Sequence, residues 1–288
     1  MSKKRKCISC IIFVVLLVIL LVGIILAGTA ERAESIQATM KDAVLHDSVK
    51  INFLGIMNVN PAVISAYTVT GIIFVFALIV RIFVIPKFTY VPGKFQMLLE
   101  EAVGIFDNLA KGNSPHKNYF LGAYIFMAGG YIFVGTLFEL LGLQAVSVSG
   151  HSVALPAPLA DINGAICMGC LSYTIILTGG LINNGIKGVG KTLKDFSLPI
   201  SMSFRLFGAL LSGALVTELV YYYTALSFVL PVVVGVVFTL LHALIQAYVL
   251  TMLTSLFYGE VSEKSPPKDK KKTKHNNITN NNGQVMEV

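Results

Sequence analysis

Long apolar runs separated by short polar or basic stretches dominate the chain, and their lengths predict helices that cross a membrane. A hydrocarbon core about 30 Å thick is spanned by roughly 20 apolar residues rising 1.5 Å each. Runs of that size occur at residues 8–26, 64–85, 119–141 and 165–186. Two longer segments follow at 198–226 and 228–258. Each makes about 45 Å of helix, so this last pair must tilt strongly or bend. Backbone exposed to lipid has to satisfy its own hydrogen bonds, which favours helices over any open sheet. The expected fold is an all-α integral membrane protein with five to six transmembrane helices, the last two long and strongly tilted.

The polar flanks divide the chain and orient it. Lys3-Lys4-Arg5-Lys6 precedes the first run and Gly28-Thr29-Ala30 follows it. Residues 1–30 therefore read either as an N-terminal transmembrane helix or as a signal-like segment, which is why the span count is five or six. Residues 31–63 mix charge with moderate hydrophobicity and form an extracytoplasmic or interfacial segment, and residues 64–260 make up the membrane domain. Within it, Met97, Leu98, Val103, Ile105 and Phe106 alternate with Glu100, Glu101 and Asp107 as in a surface helix. Residues 142–164 contain no lysine or arginine, whereas Lys94, Lys111, Lys117, Lys187, Lys191 and Lys194 fall in the loops on the other side. The positive-inside rule puts 142–164 outside and the C-terminus in the cytoplasm. Pro231 is tolerable near a helix start and marks the turn before the last helix. Beyond residue 260 the composition shifts to Lys, Pro and Asn, a disordered cytoplasmic tail.

Composition agrees and removes some functions. Hydrophobic residues make up 55% of the 288 and charged ones 13%, against about 25% charged in soluble domains. The net charge of +7 sits at the ends and in short loops, so it reports topology and not a nucleic-acid partner. The four cysteines form two C-x-x-C pairs, Cys7/Cys10 and Cys167/Cys170, a spacing able to chelate zinc. With no histidine beside them they read instead as small buried hydrophobes, and no metal or cofactor is expected. The glycines of 185–191 do not match the phosphate-binding loop G-x-x-x-x-G-K-[ST], and no nucleophile constellation stands out. The chain is not expected to be an enzyme by itself.

The residues that could carry chemistry lie in the last two segments. Arg205 is ten residues after Asp195 and thirteen before Glu218, about 15 and 20 Å from either along a helix. An arginine at that depth costs at least about 2.5 kcal/mol to insert, so it must face protein, water or a counter-charge. Gly208, Ala209, Ser212 and Gly213 follow at helical spacing on its own face, a small-residue stripe that lets another helix approach. His242 and Gln246 are four apart on the last segment, and Glu218 supplies an acid on the one before it. Such groups make either a proton or ion path or ordinary interhelical hydrogen bonds.

With Pro199 and Ser201 before it, the run Ser203-Phe204-Arg205-Leu206-Phe207-Gly208 resembles subunit a of the membrane sector of bacterial F-type ATP synthases. The similarity continues at residues 244–254, at Val91-Pro92-Gly93-Lys94-Phe95-Gln96 and at Asp161-Ile162-Asn163, covering about 64–260. The resemblance implies a stator subunit of the F0 sector in the bacterial plasma membrane, packed against the c-subunit ring and joined to the b subunits of the peripheral stalk and the remaining complex. It implies that Arg205 is the essential arginine facing the c-ring carboxylates. Protons, or sodium ions, would reach and leave the ring through two offset half-channels, with Gln246 and Ser201 at family positions.

The chain departs from the family where Ala209 replaces the usual asparagine, Ala214 an acidic residue, and Thr239 a frequent polar partner. Glu218 and His242, about one turn further along their helices, are the expected substitutes. A secondary transporter holding an anionic substrate on Arg205 is the alternative from another class, and a purely structural scaffold is the third.

Overall fold

The computed structural model describes residues 51–53, 56–114, 119–146, 152–222 and 230–263, with helical backbone also at Val15, Val18, Ile19 and Val22. The rest of the expected first span, most of the segment 31–63 and the tail beyond residue 263 lie outside the described residues.

Among the described residues five helices are long and apolar enough to cross a membrane. A short hairpin of β1 (Ile51–Phe53) and β2 (Ile56–Val59) leads into α1 (Pro61–Ile79). This helix continues through a π-helical turn, Val80–Val84, and a 3-10 turn to Lys87. Then come the surface helix α2 (Lys94–Asn113) and α3 (Tyr119–Phe138), which ends in a 3-10 turn, Glu139–Leu141. A second hairpin, β3 (Gln144–Val146) with β4 (Ser152–Ala154), precedes α4 (Ile162–Lys194), α5 (Ser197–Tyr222) and α6 (Leu230–Ser262). The chain is thus mostly helical, with two hairpins that the apolar pattern did not announce. At 26 and 33 residues, α5 and α6 are about 39 and 50 Å long. Pro231 falls in the first turn of α6, where its missing N–H costs nothing.

The core is made by α3, α4, α5 and α6 through Leu121, Ile125, Ile132, Ile176, Met202, Leu206, Ala247 and Leu250. Their hydroxyl side chains find acceptors within their own helices. Thr136 donates to Ile132 O at 2.7 Å, Ser203 to Pro199 O at 2.7 Å and Thr254 to Leu250 O at 2.8 Å, which removes polar groups from an apolar interior. The surface helix α2 closes one end, where Asn113 Nδ2 donates to Ser255 Oγ at 3.2 Å. At the start of α1 and α4 the two capping side chains meet. Asn60 accepts from Ala62 N at 3.0 Å, Asp161 accepts from Asn163 N at 2.6 Å, and Asn60 Nδ2 donates to Asp161.

Two glycines set the course of the chain into α5. Gly185 sits at φ 60°, ψ −147°, a conformation open essentially to glycine alone, and it breaks α4. The piece after it folds back, so that Tyr173 donates to Thr192 O at 3.1 Å and Lys191 Nζ to Glu260 O at 2.8 Å. The basic stretch expected as a loop after residue 186 is therefore a returning helix that ties α4 to the end of α6. Further along, a Cβ at Gly169 would overlap Ser203 Oγ and stand 2.9 Å from Pro199 O, so α4 and α5 cross almost backbone to backbone.

Gly169→Val should force these helices apart and cost about 1–3 kcal/mol. Thermal unfolding of the detergent-purified protein should show this as a lower melting temperature, whereas Gly71→Ala, with open space around its Cβ, should not.

Candidate functional site

The contact of Ser203 with α4 fixes which way α5 faces. Met202, Ser203, Leu206 and Leu210 are buried in the bundle. Positions two apart on a helix point about 200° away from each other, so Arg205 turns outward. Ser201, Phe204, Arg205, Gly208 and Ser212 form the exposed face of α5. Among the described residues Arg205 makes no hydrogen bond or ion pair. A Cβ at Gly208 would meet nothing within 4 Å.

The small-residue stripe expected beside Arg205 is therefore split. Gly208 and Ser212 stay with the arginine on the outer face. Gly213 turns toward α6, where a Cβ would sit 3.6 Å from His242 Nδ1. On α6, Val233, Val237, Leu241, Leu244 and Tyr248 recur at helical spacing and are each more than half exposed. The result is a cation and two small residues on a helix whose neighbour shows an apolar stripe. That surface suits a helix of another subunit that brings an acidic group to the arginine.

A second cluster lies inside the bundle. Thr136 and Glu139 from α3 and its terminal turn, Leu210, Gly213 and Ala214 from α5, and Thr239 and His242 from α6 line a cavity of about 10 Å³. That is room for about one water molecule. His242 Nδ1 lies 2.7 Å from Phe238 O, and its ring stacks on Phe238 with centroids 6.0 Å apart. The Glu139 side chain makes no hydrogen bond or ion pair among the described residues.

Glu139 did not stand out in the sequence because an acid in the last turn of an apolar run reads as the edge of a span. The available signal was its isolation: no other acid occurs between Asp107 and Asp161. Of the expected site residues, Ser201 shares the exposed face of Arg205, one turn before it. The backbone of Glu218 lies on α5 and its side chain is outside the described residues. His242 and Gln246 do not form one polar strip. His242 lines the cavity, whereas Gln246 is 6% exposed and its Oε1 has no hydrogen-bond donor among the described residues. The two departures Ala214 and Thr239 both line the His242 cavity. Cys167 and Cys170 are free thiols at exposed positions of α4, not buried ones. No group of three potential metal ligands occurs among the described residues.

The protein-family model described as "ATP synthase A chain" matches residues 63–259. ATP synthase subunit a of Cereibacter sphaeroides strain ATCC 17025 is 26% identical over 179 residues, which covers 58% of this chain and 69% of that protein. The same subunit of Cereibacter sphaeroides strain ATCC 17029 gives the same identity and coverage. That of Histophilus somni strain 129Pt is 26% identical over 208 residues, covering 61% of this chain and 78% of the relative.

An orphaned buried acceptor is a cost to folding. Replacing Gln246 by Met should leave thermal stability unchanged or raise it by about 1 kcal/mol. A clear drop in the melting temperature of the purified variant would mean that the amide holds the bundle together.

Proposed function

The chain belongs to the ATP synthase A chain family, and from that premise we propose that it conducts protons through two half-channels to and from the carboxylates of a c-subunit ring. Membership makes it a multi-pass, non-catalytic subunit of the F0 sector that works in a complex with other subunits. The observation that carries the finer reading is Arg205, a cation on the outward face of α5 with no partner among the described residues. Its insertion cost of about 2.5–3.5 kcal/mol calls for a counter-charge from outside the chain.

A c-ring carboxylate supplies that charge. A guanidinium within several Å favours the ionised carboxylate, so a protonated c subunit arriving at Arg205 releases its proton into one half-channel. Past the arginine the carboxylate is reprotonated from the other half-channel, and the order of the two steps gives the rotation its direction. The exposed Gly208 and Ser212 and the apolar stripe of α6 let the ring come close. In this reading Ser201, one turn before Arg205, and Gln246 serve the path near the arginine, and His242 and Glu218 serve it farther along. The b subunits of the peripheral stalk hold the chain against the ring. The C-terminus faces the cytoplasm of a bacterial cell whose plasma membrane holds the complex. An anionic-substrate transporter would place its cation in a closed pocket, and the outward position of Arg205 argues against it.

Arg205→Ala in the assembled complex should abolish ATP-driven proton pumping in inverted vesicles. Arg205→Lys should lower it at least about tenfold, because an amine lacks the planar fork and loses its charge more readily. Normal pumping in either variant, with assembly verified, would refute the stator role.

A further inference from the structure

We propose that the return segment after Gly185 is an anionic-phospholipid site, in which Lys187 and Lys194 hold headgroup phosphates while Ile186, Leu193 and Phe196 lie against acyl chains. The site is independent of the proton path.

Residues 186–194 are helical, and their side chains divide into three sides. The first side packs. A Cβ at Gly188 would overlap Gly180 O of α4, and Thr192, buried one turn on, donates to Gly188 O at 3.1 Å. The second side is apolar and bare. Ile186 and Leu193, seven residues apart, are 87% and 54% exposed, and Phe196, in the turn to α5, is 62% exposed. The third side is basic. Lys187 and Lys194, also seven apart, are both exposed, and they stand about 10 Å from each other along the axis. Lys191 lies between them but is engaged by α6, where its Nζ donates to Glu260 O at 2.8 Å and stands 3.9 Å from the Glu260 carboxylate. Among the described residues neither Lys187 nor Lys194 makes a hydrogen bond or ion pair.

The level of the segment in the membrane follows from α4. From Ile162 to Asn184 this helix runs about 35 Å, enough to cross a core about 30 Å thick, so Gly185 emerges at the interface opposite the β3–β4 hairpin. A helix that lay in water would not leave Ile186, Leu193 and Phe196 bare. One sunk in hydrocarbon would not carry two unpaired lysines. Side by side, the two faces fit the boundary between them, where apolar side chains enter the acyl region and lysine stems reach back to phosphate. A protein partner would have to match a basic row and an adjoining apolar row at once. A phospholipid presents both, with its phosphate above its own acyl chains. Each lysine close to an anionic membrane surface strengthens attachment about fivefold. Because the segment leads straight into α5, a bound headgroup anchors the entry to the helix that carries Arg205.

The chain contains no tryptophan, so Leu193→Trp gives the full-length protein a single fluorophore at an exposed position on the apolar side. The purified protein is reconstituted in phosphatidylcholine bilayers that contain either brominated phosphatidylglycerol or brominated phosphatidylcholine, whose bromines quench at short range. Half-maximal quenching should need at least about tenfold less of the brominated phosphatidylglycerol. Adding Lys187→Gln with Lys194→Gln should remove that difference while brominated phosphatidylcholine still quenches. Lys187→Arg with Lys194→Arg should keep it, because the charges remain. Phe196→Trp repeats the measurement at a second exposed position. Equal quenching by the two lipids in the starting protein, or a preference that survives the glutamine pair, would overturn the site. So would fluorescence that neither lipid quenches, which would place the segment in water or against another protein.

Discussion

The hydrocarbon core contains no water to satisfy a polar group, and that absence orders the whole structure. Threonine and serine hydroxyls on α3, α5 and α6 bend back to carbonyls of their own helices. Both β-hairpins lie at ends of the bundle, next to the capping residues Asn60 and Asp161 or the turn after Glu139. Against that background the groups left without partners are conspicuous. Among the described residues they include the side chains of Arg205 and Glu139, Gln246 Oε1 and Ser262 Oγ. A protein that had only to stand in a membrane would be more stable with apolar groups in place of such polar ones inside the bilayer.

The rotation of α5 about its axis is the setting on which these groups depend. It follows from the absence of a side chain at Gly169, which lets Ser203 pack into α4. With Ser203 inward, Met202, Leu206 and Leu210 enter the core and Arg205 faces out. The break at Gly185 contributes by folding the basic segment back along α4, which delivers the start of α5 to that crossing.

Much of this was legible in the chain because membrane burial is a strong, one-dimensional signal. Apolar run length located the described spans to within a few residues, and the cost of a buried cation singled out Arg205 before any geometry was known. The misses share one cause: they concern which neighbour a face meets. Ala209, Gly213, His242 and Gln246 were grouped by helical spacing, but spacing gives an angle on one helix and says nothing of the adjacent ones. The structure sends Gly213 and His242 into a cavity and buries Gln246 apart from them. Glu139 was hidden for the same reason. Its relation to His242 runs between helices about a hundred residues apart in sequence, and no local pattern records it. The return after Gly185 was read as a loop because lysines and glycines weaken a helical pattern. Its contacts with Tyr173 and Glu260 override that preference.

The outward position of Arg205 has its own physical logic. Were α5 turned so that its cation entered the bundle, the arginine would take the place of Met202, Leu206 or Leu210 in an apolar core. An uncompensated buried charge costs several kcal/mol, and the fold would have to supply a counter-charge of its own to hold it. Turned outward, the arginine keeps its field for a group brought from outside the chain. The crossing at Gly169 and Ser203 therefore governs the chemistry as well as the packing, because it decides which face of α5 carries the fixed charge.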